Sequence, residues 1–143
     1  MNPKPTQTPM KTDIAVPEVQ DVIVAIVPRS EDLTEELWDV YVINVRDEAM
    51  DNVLITSQGY GSIDGNNMST TVLRHFHQHL AAGAAIKVEP IQTSLFNLKN
   101  EYWLSFNAAE GMLDKRFVFK PGSISTQALE TVPILNRPGV MMR

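Results

Sequence analysis

The sequence predicts an all-β protein, a single β-sandwich of immunoglobulin-like or related topology that leaves room for one or two short helices. About seven short segments rich in β-branched and aromatic residues follow one another along the chain, and proline or glycine ends most of them. Short strands at this spacing are typical of a sandwich. The length of 143 residues suits one hydrophobic core and is too short for two full domains.

A domain boundary is predicted near residue 14. Residues 1–13 are rich in proline, threonine and lysine, a composition typical of a flexible N-terminal tail. Residues 14–143 are expected to form the single domain. The N-terminal stretch lacks the apolar segment of a secretory signal, so a cytoplasmic location is expected.

The first half of the domain predicts three strands and one short helix. Residues 19–27 are apolar at consecutive positions and stop before a proline, which indicates a central strand buried on both faces. Ser30 can cap a short helix over the acidic residues that follow it. Residues 38–45 repeat the two-faced apolar pattern, and residues 52–58 alternate more loosely.

The middle of the chain contains a predicted loop and an ambiguous segment. Residues 59–67 are rich in glycine and asparagine and are predicted to form the longest loop. Residues 69–82 fit a helix with an apolar stripe and a C-terminal glycine, and they also fit a strand. The strand is favoured because residues 80–83 have the composition of a tight connection into the next strand.

The remaining strands are predicted to alternate between a buried face and a solvent face. In the strand that ends at Pro90, Ile86 and Val88 are expected to face the core, whereas Lys87 and Glu89 face solvent. The later elements are a strand at 102–106, a hairpin turn at 108–111, a return strand at 112–119 and an edge piece at 132–135.

Composition and charge exclude several classes of function. The chain has no cysteine, which excludes a disulfide scaffold, a thiolate metal site and a cysteine nucleophile. The net charge is −5 and the sequence shows no basic patch, so neither nucleic acid nor a membrane is an expected partner. The sequence contains neither a serine-hydrolase elbow nor a phosphate-binding loop signature. No catalytic residues are assigned, and a protein that is not an enzyme is favoured.

All three histidines of the chain lie in one short segment, at His75, His77 and His79. On a strand they would share one face, spaced about 6.8 Å apart. Imidazoles are common zinc ligands, so the cluster is a candidate site for a zinc-like divalent metal. The competing interpretation is a polar, solvent-facing side of an amphipathic element, and it is favoured because no carboxylate cluster lies nearby in the sequence. Apart from this metal, no cofactor is expected.

Aromatic residues are the candidates for an interaction surface, namely Trp103, Tyr60 and Trp38. Trp103 is out of phase with the apolar positions of its own strand, Tyr102 and Leu104, which places it on the outer face. An exposed tryptophan is typical of a surface that binds a partner, whereas the favoured alternative is that Trp103 packs under the N-terminal tail or a loop.

Most of residues 14–143 resembles a family of small uncharacterised bacterial proteins of about this length. The resemblance lies in five stretches, at 38–44, 53–61, 87–91, 100–103 and 114–119. Some members of that family carry the label phenylalanyl-tRNA synthetase alpha subunit. The chain offers no motif support for the label, because it is much shorter than a class II synthetase core and has no counterpart of the arginines that bind ATP.

These observations favour a non-enzymatic interaction or accessory module that binds a protein partner or a second copy of itself. One alternative is a metal-binding protein or metal-dependent enzyme that uses His75, His77 and His79. A second alternative is a small-ligand site near residues 59–67. The first of these predicts bound metal, and the second predicts a pocket with convergent polar groups.

Overall fold

The computed structural model describes residues 19–143, which form ten strands and two short 3-10 helices. The all-β prediction is confirmed, whereas the assignment to an immunoglobulin-like sandwich stays a prediction. The predicted tail at residues 1–13 lies outside the described residues. The strands are β1 (Val22–Pro28), β2 (Leu37–Asn44), β3 (Met50–Ile63), β4 (Asn66–Ser69), β5 (Leu73–Leu80), β6 (Ala84–Gln92), β7 (Lys99–Ala108), β8 (Gly111–Phe119), β9 (Glu130–Val132) and β10 (Arg137–Met142). The 3-10 helices are Thr93–Asn97 and Thr126–Ala128.

The first sheet has the antiparallel order β6-β2-β1-β10-β9. Its strand β1 is buried along its whole length, as the two-faced apolar pattern predicts for a central strand. One face of β1 enters the main core, and the other enters a smaller cluster with Ile43 and Val132. The short strand β9 lies at the sheet edge, but the predicted edge piece at 132–135 shares only Val132 with it, because residues 133–135 form a turn.

The second sheet has the order β4-β3-β7-β8, with β5 also paired to β3. β3 is 14 residues long, and β4 and β5 pair in turn with its C-terminal and N-terminal halves. The predicted hairpin of β7 and β8 is confirmed, with Ala108 opposite Gly111. Inner-face residues of both sheets belong to one hydrophobic core, so the two sheets face each other across it.

The predicted loop at residues 59–67 is wrong. Residues 59–63 continue β3, residues 66–69 form β4, and only Asp64 and Gly65 turn, with φ values of 52° and 79°. Two successive residues with positive φ are typical of the tight hairpin turns that match strand twist. The glycine at position 59 serves a close approach instead of a turn, because a Cβ there would lie 2.9 Å from the Asn100 Oδ1 atom.

The ambiguous segment at residues 69–82 contains the strand β5, as favoured from the sequence. Gly83, with φ of 71°, then turns the chain directly into β6. The short helix predicted after Ser30 is absent from the described residues 29–36, which form turns. The Ser30 and Asp32 side chains accept backbone N–H bonds of 3.1 and 3.0 Å two residues ahead, and such local bonds compete with helix formation. Within residues 19–143, no helix is both long and apolar enough to span a bilayer.

Candidate functional site

His75 and His77 lie on the core-facing side of β5, at the edge of the second sheet, whereas His79 is exposed beside Asp51. His75 is paired with Ile55 and His77 with Val53, and both of these β3 residues are fully buried. Between them Phe76 points to the outer face, opposite Leu54. Because successive side chains of a strand point to opposite faces, the imidazoles of His75 and His77 lie on one face of β5 and the Phe76 ring lies on the other.

The histidines bond to different carboxylates and do not converge. The Nε2 atom of His75 lies 2.7 Å from Oε1 of Glu89, and Nδ1 of His79 lies 2.6 Å from Oδ1 of Asp51. Across residues 19–143, no group of three or more His, Asp or Glu side chains is arranged to hold a metal ion. The predicted set of His75, His77 and His79 is therefore not assembled as a ligand set in this structure.

Glu89 faces the interior because of an irregularity in the pairing of β2 and β6. Val40 pairs with Glu89, whereas the next residue, Tyr41, pairs with Lys87, so that Val88 is an extra residue on β6. A bulge of this kind shifts the two-residue alternation by one position. Val88 and Glu89 are consequently both buried. The sequence-based assignment of Glu89 to the solvent face is wrong, since it continued a strict alternation through the bulge.

The Glu89 carboxylate is held by two side chains of the second sheet. The side chain is 8% exposed. The Ser57 hydroxyl lies 3.0 Å from both carboxylate oxygens and donates to them, while His75 approaches Oε1. Burial, and secondarily the charge of Glu89, raises the pKa of the Tyr102 phenol far above its ordinary value. Glu89 is therefore hydrogen-bonded to Ser57 and His75, and its charge also raises the pKa of the nearby Tyr102 phenol.

A cleft of about 300 Å³ reaches Glu89 from the side of the molecule. It opens between the edge strands of the two sheets, beneath the interruption between β4 and β5 at residues 70–72. Its apolar lining includes Leu37, Leu73, Ile91 and Leu95. Its polar lining includes Ser57, Thr70, Thr71, Glu89 and Asn100. A cavity of this size with few convergent polar groups is typical of small-ligand sites.

The hydrogen bonds among Ser57, Glu89 and His75 follow a different order from those of a Ser-His-Asp catalytic triad. In a catalytic triad the imidazole takes the proton of the serine hydroxyl. Here the Ser57 hydroxyl and the His75 imidazole both bond to the carboxylate between them. The imidazole is not bonded to the hydroxyl, so the three side chains lack the hydrogen-bond order of that triad, and the carboxylate between them lines the cleft as an acceptor.

The opposite face of the second sheet carries a cluster of exposed apolar side chains, which we call the outer patch: Leu54, Phe76 and Trp103. Their exposed fractions are 37%, 61% and 48%. Phe76 lies directly opposite Leu54, and Trp103 lies opposite Thr56, two residues further along β3. These are direct and diagonal neighbours on one sheet face, within reach of aromatic side chains.

Of the three aromatic interaction candidates, only Trp103 is well exposed. Trp38 is 3% exposed and packs edge-on against Phe96 at 5.0 Å, so its assignment to an interaction surface is wrong. It faces the core because it pairs with the buried Ile91. Tyr60 is half-buried, and the Lys99 ammonium lies 4.5 Å from the centre of its ring.

Sequence reasoning missed Glu89 and Ser57 as partners. One signal for Glu89 was present, because Val88 and Ile91 are both apolar but three residues apart. That spacing breaks the two-residue period and indicates a bulge between them. Comparison with known proteins gives no match, either to a family model or to a curated sequence.

Proposed function

We propose that the protein is a non-enzymatic interaction module that associates with a second copy of itself through the outer patch. The observation that carries this proposal is the alignment of Leu54, Phe76 and Trp103 across three neighbouring strands, all on the solvent side. Exposed apolar clusters that include tryptophan are typical of binding surfaces. Self-association would remove these side chains from water.

The small area of the face is typical of a weak, transient interface. Four strands about 4.8 Å apart and four rows of outward residues about 6.8 Å apart give a face of roughly 500 Å² per copy. Two such faces bury roughly 1,000 Å², which is the lower end for specific interfaces. A weak dimer with a dissociation constant on the order of 10 µM is therefore expected.

The charges of the face are complementary to themselves, which favours a second copy as the partner. Asp114 lies in the row of Leu54, and Arg116, which is also ion-paired with Glu101, lies in the next row, opposite Trp103. A two-fold axis that runs across the strands between these rows would place Asp114 of one copy over Arg116 of the other. The same operation would place Arg74 over Phe76, a cation–π arrangement.

Sedimentation velocity from about 5 to about 200 µM tests the proposal across the expected dissociation constant. We expect the wild type to shift from monomer to dimer. A double variant, Phe76→Gln with Trp103→Gln, should remain monomeric, and Leu33→Gln should dimerise like the wild type, because Leu33 is a 43% exposed residue outside the outer patch. A wild type that stays monomeric throughout, or a double variant that still dimerises, would overturn the proposal.

The resemblance to small bacterial proteins, a cytoplasmic location and the absence of nucleic-acid binding remain predictions from the sequence.

A further inference from the structure

We propose that the cleft beside Glu89 is a binding site for a small organic amine. The protonated amine would contact the Glu89 carboxylate, and the apolar part of the ligand would lie against the cleft wall. The site is independent of the outer patch, because the cleft lies on the core side of the second sheet and the outer patch lies on its solvent side.

The charge of the cleft selects a cation. Of the residues that line it in the described chain, Glu89 is the only Asp, Glu, Lys, Arg or His. A carboxylate that is 8% exposed interacts strongly with charges nearby, because little water screens it. When the His75 imidazole that contacts Oε1 at 2.7 Å is neutral, an anionic ligand would be repelled from this position and an ammonium group would be attracted to it.

The hydrogen bonds of Glu89 leave room for a ligand. A carboxylate offers about four acceptor positions. Ser57 donates one proton, which its two 3.0 Å contacts must share, and His75 approaches Oε1 only. Roughly two acceptor positions therefore remain, which matches the several N–H donors of a primary ammonium.

The wall of the cleft determines the rest of the ligand. Leu37, Ile91 and Leu95 supply apolar contacts, and Thr70, Thr71 and Asn100 supply neutral polar ones. The volume of about 300 Å³ is at the small end for ligand sites. The ligand class is therefore a primary amine with a single ring or a short aliphatic chain.

A substitution at the entrance of the cleft provides a second test of binding. Leu73 is 44% exposed, lines the cleft and pairs with Ser57 across β3 and β5. A larger side chain there should block access without contacting the core. Leu73→Trp therefore tests the location of the site separately from its charge.

The test is a titration with benzylamine, and with benzyl alcohol as its uncharged counterpart, followed by amide chemical shifts in NMR spectra. We expect benzylamine to bind at least about tenfold more tightly than benzyl alcohol and to shift the amides of Thr70, Thr71 and Asn100. Glu89→Gln, which keeps an acceptor for Ser57 and His75, should remove this preference. Asp51→Asn, at the carboxylate of the other histidine pair, should leave it unchanged.

Two results would overturn the amine site. One is equal affinity of the wild type for benzylamine and benzyl alcohol, and the other is benzylamine binding that survives both Glu89→Gln and Leu73→Trp. Folding of each variant is read from the dispersion of the same spectra. Neither result bears on the dimer, which is measured separately with variants of the outer patch.

Discussion

Two histidine–carboxylate pairs lie four residues apart on β5 and differ mainly in their surroundings. In the first, His75 and Glu89 are 30% and 8% exposed and the carboxylate has a further donor in Ser57. In the second, His79 and Asp51 are 58% and 56% exposed. The N···O distances are nearly equal, at 2.7 and 2.6 Å. Burial, and not the length of the contact, therefore decides which pair can matter for stability and binding.

Removal of each imidazole should give the largest contrast. His75→Ala leaves the buried Glu89 carboxylate with one donor from the protein, so we expect a loss of about 2 kcal/mol in the free energy of unfolding. His79→Ala breaks an exposed pair and should cost about 0.5 kcal/mol. Urea denaturation at neutral pH measures both. Equal losses for the two variants would contradict the comparison.

A pair of serines tests the hydrogen bond to Glu89 without altering charge. Ser57→Ala removes the buried hydroxyl that donates to the carboxylate, and a loss of about 1 kcal/mol in stability is expected. Ser105 lies on the outer face of the same sheet, opposite Leu54, and provides the control. Ser105→Ala should change stability by about 0.3 kcal/mol or less. A loss of stability in Ser105→Ala as large as that in Ser57→Ala would contradict the proposed role of the hydrogen bond to Glu89.

The smallest effect concerns the phenol next to Glu89. Burial and the Glu89 charge raise the pKa of Tyr102 above its ordinary value of 10.0, so the folded state binds this proton more tightly than the unfolded chain does. The resulting stability is present at lower pH and is lost as the pH rises past 10.0. For this one group the loss is about 0.4 kcal/mol when the pH equals the unfolded pKa.

Thermal or urea unfolding at pH 8 and pH 10 measures that loss, with Tyr102→Phe as the reference. The variant lacks the titrating group, so its stability should fall less between the two pH values than that of the wild type. A fall of the same size in both proteins would mean that Tyr102 does not carry the effect.

Much of the strand pattern could be predicted from the sequence, because it depends on local alternation. The buried β1, the β7–β8 hairpin and the outward position of Trp103 all follow from which residues are apolar at which spacing. The sequence favours a strand at β5 for a similar local reason, the composition of the turn that follows it.

The candidate site could not be predicted in the same way, because it depends on contacts between distant residues. Glu89 lies 32 positions from Ser57 and 14 from His75, and it reaches them only because a bulge changes the direction of its side chain. The predictions for Trp38 and for residues 59–63 are wrong for a related reason. Aromatic residues occur both in cores and on surfaces, and glycine serves close packing as well as turns.

The divided edge of the second sheet affects how the protein behaves at high concentration. If one side of the 14-residue strand β3 were exposed, the edge strand of another molecule could pair along its whole length. Sheets extend from molecule to molecule in this way. Here that side of β3 is covered by strands of four and eight residues with a break between them. The break that opens the cleft therefore also denies other chains a continuous template for fibril growth. A substitution that made residues 70–72 continue the strand would both close the cleft and increase the tendency to aggregate.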